Sequence, residues 1–286
     1  MWWSAVRPAT LAASIAPVLT GTAIAIDEGG ARWWAGIGAL IVGVAMQLGV
    51  NFANDYSDFV RGADAQRVGP VRAASSGVVR PGAVRLAAVA AFAAAGLAGL
   101  ILSLAVDLRL LLLGAACLLA GWLYTGGPRP YGYRGLGEVF VFIFFGLVAT
   151  VGTVYLEAGR VGALAWLMAC AMGSMATAIL VLNNLRDIDT DAAAGKRTLA
   201  TRIGRARTRW LLIALLAAAF AAPLVAWVTG LFGASILLTL VAIPIAWSAA
   251  RIAVSTTRAP SLVQALKRTA TAELVYALLF ALATLL

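Results

Sequence analysis

Nine apolar runs, each close to the roughly 20 residues that a helix needs to cross a bilayer, leave this chain few alternatives. They cover about 9–26, 33–53, 84–104, 109–125, 136–156, 161–182, 210–229, 233–253 and 268–286. The runs are continuous and rich in Ala, Leu and Val. They read as helices rather than as the weak alternating segments of a β-barrel. Apolar residues make up 62% of the chain and charged residues 12%, where a soluble domain carries about 25% charge. The expected fold is all-α: a polytopic membrane protein with nine transmembrane helices in one bundle, a single domain over 1–286. The fourth run is short, and 251–268 is expected to be a loop.

The cations set the orientation. With the N-terminus in the cytoplasm, 19 of the 22 Lys and Arg residues lie inside, and only Arg32, Arg109 and Arg160 lie outside. This is the positive-inside pattern, and it requires an odd number of crossings. The net charge of +10 follows from topology, not from nucleic-acid binding. The first run ends in Ala23-Ile24-Ala25, which resembles a signal-cleavage site, but 9–26 is longer than a signal core. A retained first span is expected. Cys117 and Cys170 fall inside apolar runs and read as small apolar side chains. The chain has no histidine, which argues against zinc, haem and a histidine base.

Two inside segments are long, 54–83 and 183–209. Six of the twelve acidic residues, Asp55, Asp58, Asp64, Asp187, Asp189 and Asp191, lie there or at the helix ends leading in. One segment opens N-F-A-N-D-Y-S-D (51–58) and the other N-N-L-R-D-I-D-T-D (183–191). They follow the second and sixth runs. This predicts two four-helix halves in parallel orientation plus one further helix.

At about 100° per residue, Asn51, Asn54, Asp55 and Asp58 share one arc of a helix. So do Asn183, Asn184, Asp187 and Asp191. Carboxylates at a helix C-terminus are disfavoured by the macrodipole and repel one another, so they need a cation. The arginines nearby would make salt-bridge networks. A divalent ion is the other candidate, and hard oxygen ligands without His or Cys suit Mg²⁺. Arg61, Arg72, Arg186, Lys196 and Arg197 would then grip a phosphate group. Mg²⁺ and a diphosphate beside a greasy bundle suggest an isoprenoid diphosphate. Two metal ions would ease departure of the diphosphate, and aromatic side chains would stabilise the allylic cation.

The segments N-D-Y-S-D (54–58) and D-I-D-T-D-A-A-A-G-K-R-T-L (187–199) resemble the two aspartate-rich motifs of the UbiA superfamily of intramembrane prenyltransferases. R-P-A-T-L-A-A-S-I-A-P-V-L-T-G (7–21) resembles the opening of that family. R-V-G-P-V-R (67–72) and Y-T-G-G-P-R-P-Y-G-Y-R-G-L-G-E (124–138) are similar to its branch that prenylates 1,4-dihydroxy-2-naphthoate in menaquinone biosynthesis. The resemblance runs from Arg7 to about Gly204. It implies a nine-helix bundle and Mg²⁺ dependence, with two ions. It also implies transfer of a polyprenyl chain from its diphosphate to the naphthoate with loss of CO2. The partners would be the polyprenyl diphosphate, the acceptor and the lipid bilayer, and the location a bacterial plasma membrane.

By that resemblance Asn54, Asp55, Asp58, Asp187 and Asp191 hold Mg²⁺ and diphosphate, with Asn51 and Asn184 assisting. Lys196, Arg197 and Arg61 contact diphosphate oxygens. Where many members carry an Asp four residues after the one matching Asp58, this chain has Gly62. That leaves Asp64 to bind metal or to pair with an arginine. Asp189 lies off the shared face and reads as an arginine partner. Arg72, Tyr131, Arg134 and Glu138 are candidates for acceptor binding. Tyr131 reads equally as an interface anchor, and Glu138 as a charge favoured at a helix start. Glu273, alone in the last run, needs a partner or a cavity. The alternatives are the same fold with a 4-hydroxybenzoate acceptor or a phytyl donor, and, in another class, a cation-coupled transporter. Transporters place such charges near the bilayer midplane.

Overall fold

The computed structural model describes residues 2–62 and 72–286. Among the described residues nine long helical segments form the bundle, as the nine apolar runs predict. A short α1 (Trp2–Val6) precedes α2 (Pro8–Asp27), α3 (Trp33–Val60), α4 (Pro81–Ala105) and α5 (Leu110–Thr125). The fifth crossing is composite: α6 (Gly137–Val141), a π-helical stretch (Phe142–Val148) and α7 (Ala149–Ala158). Then come α8 (Ala163–Ala193) and α9 (Leu199–Val228). The eighth crossing begins as a 3₁₀ stretch (Ala234–Ala242) and continues as α10 (Ile243–Ser255), and α11 (Ala259–Ala283) follows. Seven of these crossings are long and apolar enough to span a membrane on length and composition alone.

Helix ends follow local chemistry. Proline opens α2, α4, α10 and α11 within the first two positions, where its missing N–H is no loss. Four helices, α3, α8, α9 and α11, run further into polar sequence than the apolar runs suggest, and α9 begins at Leu199 rather than 210. α3 continues through Val60 and α8 through Ala193, so Asp55, Asp58, Asp187 and Asp191 lie on helices, as their shared arcs predict. α11 begins at Ala259 rather than 268, and the expected 251–268 loop shrinks to a few residues. Its extra turns hold because Leu262, Ala265 and Leu266 are buried on one face.

Small residues let the helices approach closely, as packing inside a membrane requires. A Cβ on Gly21 of α2 would lie 2.7 Å from the Thr150 carbonyl and the Thr153 Cβ of α7. Gly146 of the π-helical stretch lies directly against the Gly173 backbone of α8. The first and last crossings, α2 and α11, pack on each other and close the ring. The second helix of each expected half, α3 and α8, packs most extensively on the helix that follows it, α4 and α9.

Filling is uneven across the bundle. The largest core joins α8, α9, α10 and α11 to α2, through side chains such as Met168, Met172, Leu182, Tyr276 and Phe280. On the other side, the first half and the fifth and sixth crossings together enclose a cavity of about 440 Å³. Its walls come from α2 to α8, and no residue of α9, α10 or α11 lines it. Glu273 in α11 is fully buried, and neither of its carboxyl oxygens has a hydrogen-bond partner among the described residues.

Candidate active site

The ends of α3 and α8 lie at one end of the bundle, at the mouth of the cavity, linked through the turn that follows α8. Asn51 and Asn54 of α3 and Asn183 of α8 line its upper wall. One ammonium joins the two aspartate motifs: Lys196 Nζ lies 2.6 Å from Asp58 Oδ1 and 3.7 Å from Asp191 Oδ1. Two local features position Lys196. Gly195 adopts φ 72, which a side chain would strain. The Lys196 N–H donates to the Asp191 carbonyl at 2.8 Å.

Asp58 is held by three side chains, Arg72, Lys196 and Tyr133. Arg72 Nη1 sits 2.5 Å from its Oδ2, and the same nitrogen donates to the Asn54 carbonyl at 3.1 Å. The Tyr133 hydroxyl donates to Asp58 Oδ1. The Tyr133 ring carries Lys196 Nζ 4.7 Å from its centroid and the Arg61 guanidinium at 5.1 Å. Burial, then the Asp58 charge and hydrogen bond, push the Tyr133 phenol well above the usual tyrosine range. The Arg197 N–H donates to the Tyr133 carbonyl at 3.0 Å, joining the loop before the fifth crossing to the turn after α8.

Asp55 is 1% exposed. Its Oδ2 accepts from the Ala73 N–H at 3.0 Å, while Oδ1 is buried with no hydrogen-bond partner. Asp187 lies in a two-point grip: Arg186 Nε reaches Oδ1 at 2.7 Å and Nη2 reaches Oδ2 at 2.6 Å. Arg186 also donates to Asn183 Oδ1 at 2.7 Å. Arg186 thus braces the second motif from within α8. Asp189, on the outer side of α8, pairs with Arg205 at 2.5 Å.

Of the remaining expected residues, Asn51 ties α3 to the start of α2, donating to the Val6 carbonyl at 2.9 Å and to Thr10 Oγ1 at 3.0 Å. Asn184 donates to the buried Glu138 at 2.9 Å, whose other oxygen is buried without a partner. Arg61 donates to the Gly127 carbonyl at 2.7 Å. Arg134 and Arg197 are exposed. Tyr131 donates to the Ala120 carbonyl at 2.8 Å and faces the cavity. Asp64 lies outside the described residues, as does Arg67.

Several cavity residues carry no signal in the aspartate pattern. Tyr131 stacks on Phe140 with centroids 4.0 Å apart. Phe140 continues to Phe144 at 6.0 Å and Tyr124 joins Tyr131 at 5.5 Å, completing an aromatic wall. Arg7 lines the same cavity. It is the one positive-φ residue other than glycine among the described residues, at φ 52. Strained backbone of this kind clusters at functional sites. The nearest sequence signal for these groups is the aromatic density of Y-G-Y-R (131–134).

The donor set suits one kind of metal. Among the described residues no three carboxylates converge as a ready-made cage. Mg²⁺ needs only one or two carboxylates and completes its octahedron with water and phosphate oxygens. The unpartnered Asp55 Oδ1 and the facing Asp58 and Asp191 meet that requirement. Cations and carboxylates around one mouth can hold a metal-bound diphosphate, and the apolar and aromatic walls beneath can hold a hydrocarbon tail and a flat ring.

Known proteins resemble this chain in sequence and in fold. Residues 14–269 match the UbiA prenyltransferase family. The chain is 47% identical to 1,4-dihydroxy-2-naphthoate octaprenyltransferase of Mycobacterium tuberculosis, over 97% of this chain and 94% of that protein. A UbiA homologue from Aeropyrum pernix has the same fold, with TM-score 0.70, 16% identity and 98% of each chain covered. Another from Archaeoglobus fulgidus, solved with DMAPP and Mg²⁺, superposes with TM-score 0.63 at 14% identity, over 98% of this chain and 96% of that one.

Proposed function

The chain belongs to the UbiA prenyltransferase family, and from that premise we propose that it transfers a polyprenyl chain from its diphosphate to 1,4-dihydroxy-2-naphthoate. The octaprenyltransferase at 47% identity over nearly the whole chain supports this acceptor. The observation that carries the reading is the Lys196 ammonium set between Asp58 and Asp191 at the mouth of an apolar cavity. The reaction belongs to menaquinone biosynthesis, in a bacterial plasma membrane with the aspartate end at the cytoplasmic face.

Asp55, Asp58, Asp187 and Asp191, with Asn54 and Asp64, would hold Mg²⁺, two ions in this reading. The Archaeoglobus homologue with DMAPP and Mg²⁺ supports the choice of metal. When bound, the ions supply charge neutralisation for the departing diphosphate. Lys196, Arg72, Arg61 and Arg197 surround the diphosphate oxygens. Lys196 and Arg72, already paired with Asp58, are the nearest to the metal ligands. Their charge is most effective where growing negative charge is shielded from water.

The prenyl C–O bond breaks, and its electrons leave with the diphosphate. Tyr124, Tyr131, Phe140 and Phe144 present π-faces to the allylic cation in a cavity whose walls keep water away. The naphthoate ring carbon bearing the carboxylate attacks the cation. Release of CO2 returns the electron pair to the ring, giving the reduced form of demethylmenaquinone. No base is needed at that carbon, which accords with a chain that lacks histidine. Arg7, whose side chain faces the cavity, holds the acceptor carboxylate. Glu138, through Asn184, positions the second motif.

Membranes containing the protein, given a radiolabelled prenyl diphosphate and dihydroxynaphthoate, should make a labelled aromatic lipid with Mg²⁺ and none with EDTA. Labelling of 4-hydroxybenzoate in preference to the naphthoate would overturn the acceptor assignment.

A further inference from the structure

One polar side chain in the cavity wall has an unused oxygen. Gln47 of α3 is 7% exposed and lines the cavity. Its Nε2 donates to Thr10 Oγ1 and to Asn51 Oδ1, each at 3.1 Å. Its Oε1 accepts no hydrogen bond among the described residues.

The neighbours fix which way this amide points. Asn51 Nδ2 donates to the Val6 carbonyl at 2.9 Å. A carbonyl can only accept, so the Asn51 nitrogen must face Val6 and its oxygen must face Gln47. The Thr10 hydroxyl gives its one hydrogen to the Arg7 carbonyl at 2.9 Å, so toward Gln47 it too can only accept. Both neighbours therefore require the Gln47 nitrogen, and the oxygen is left for the cavity. About 12 Å of helix axis separate Gln47 from Asp55 on α3, which puts this oxygen below the aspartate mouth.

An amide oxygen held in an apolar wall favours a ligand that donates to it. A hydrocarbon tail has no donor. Diphosphate and carboxylate oxygens at neutral pH only accept. The ring hydroxyls of the naphthoate are the donors that remain. Its 1-hydroxyl sits beside the carboxylate and donates to it within the molecule. Its 4-hydroxyl has no such neighbour.

We infer that Gln47 Oε1 accepts the hydrogen bond of the 4-hydroxyl of 1,4-dihydroxy-2-naphthoate, and so selects this ring over one that lacks the group. This rests on the prenyl-transfer reading and adds to it a determinant of which aromatic substrate is taken. A ring without the hydroxyl would cover the oxygen and leave it unpaired, at a cost in binding. Asn51 and Thr10 keep the amide from turning its nitrogen to the cavity instead.

The test uses the full-length protein in detergent with Mg²⁺ and farnesyl thiodiphosphate, a donor that ionises too slowly to react. Calorimetry under argon gives Kd for 1,4-dihydroxy-2-naphthoate and for 1-hydroxy-2-naphthoate, which differ only in the 4-hydroxyl. The wild type should bind the dihydroxy ring at least about tenfold more tightly. Gln47→Leu should raise that Kd about tenfold and leave the Kd of the monohydroxy ring within about twofold. Equal wild-type affinities overturn the inference, and this comparison decides even where the variant does not fold. An equal loss for both rings in Gln47→Leu overturns it as well, since that marks a role in packing alone. If the wild type still prenylates the naphthoate, either result overturns this inference alone. A wild type that transfers no prenyl group to the naphthoate overturns the prenyl-transfer reading and this inference together.

Discussion

Lys196 Nζ and Asp58 Oδ1 lie 2.6 Å apart although 138 residues separate them in the chain. The contact brings the end of α3 to the turn after α8, and Asp191 at 3.7 Å completes the bridge. The two aspartate motifs thus form one site with a shared cation. Removing that ammonium should weaken diphosphate binding and departure together. Lys196→Met is expected to lower kcat/KM by about 10²-fold, and Lys196→Arg should retain part of the activity. Steady-state assays with varied prenyl diphosphate measure both.

Metal removal should act at the carboxylates. EDTA is expected to abolish turnover and excess Mg²⁺ to restore it. Asp55→Asn keeps the acceptor for the Ala73 N–H but loses the charge on the unpartnered oxygen. It should raise the Mg²⁺ concentration needed for half-maximal rate by about tenfold or more. An unchanged Mg²⁺ titration would remove Asp55 from the ligand set.

Tyr133 has two separable parts. Tyr133→Phe keeps the ring beneath Lys196 and Arg61 but removes the hydrogen bond to Asp58. A loss of about tenfold in kcat/KM is expected, and a larger one for Tyr133→Ala. The phenol's pKa is raised by burial and by Asp58. Its donated bond is therefore intact below the ordinary tyrosine value of about 10 and is lost only as pH rises through the higher folded value. The alkaline limb of the rate profile below that range should be the same in wild type and Tyr133→Phe.

Arg7 should discriminate between the two substrates. Arg7→Gln is expected to raise KM for the naphthoate by about tenfold and leave KM for the prenyl diphosphate nearly unchanged. Equal effects on both would place Arg7 with the diphosphate groups instead.

The contact between Gly146 and Gly173 should be a point of stability. A Cβ on Gly146 has no room against the Gly173 backbone, so Gly146→Ala should destabilise the bundle by about 1–3 kcal/mol. Thermal unfolding in detergent reads this directly. Gly152→Ala, at an open position on the same crossing, is the control and should not lower Tm.

Local pattern sufficed for the elements. Runs of about 20 apolar residues can satisfy their backbone in lipid only as helices, so nine helical crossings were legible from residue type alone. The amide and carboxylate spacing put Asn51, Asn54, Asp55 and Asp58 on one arc, and the same rule placed Asp189 apart from Asp187 and Asp191. The helix ends were harder to read. The apolar runs stop at 53 and 182, and hydropathy alone does not say how far past the aspartates α3 and α8 continue.

Contacts between distant segments had no local signal at all. Arg72 pairing with Asp58, Lys196 spanning Asp58 and Asp191, and Tyr133 lying beneath Lys196 all depend on how the ring closes. So does the cavity, because every crossing is apolar. The side that packs solid and the side that leaves a cavity differ in which faces meet, not in how greasy they are. The sequence by itself determined nine helices and two acidic ends. The tertiary structure decided that those ends come together at the mouth of an apolar chamber, because side-chain proximity arises from helix packing and no periodicity along the chain encodes it.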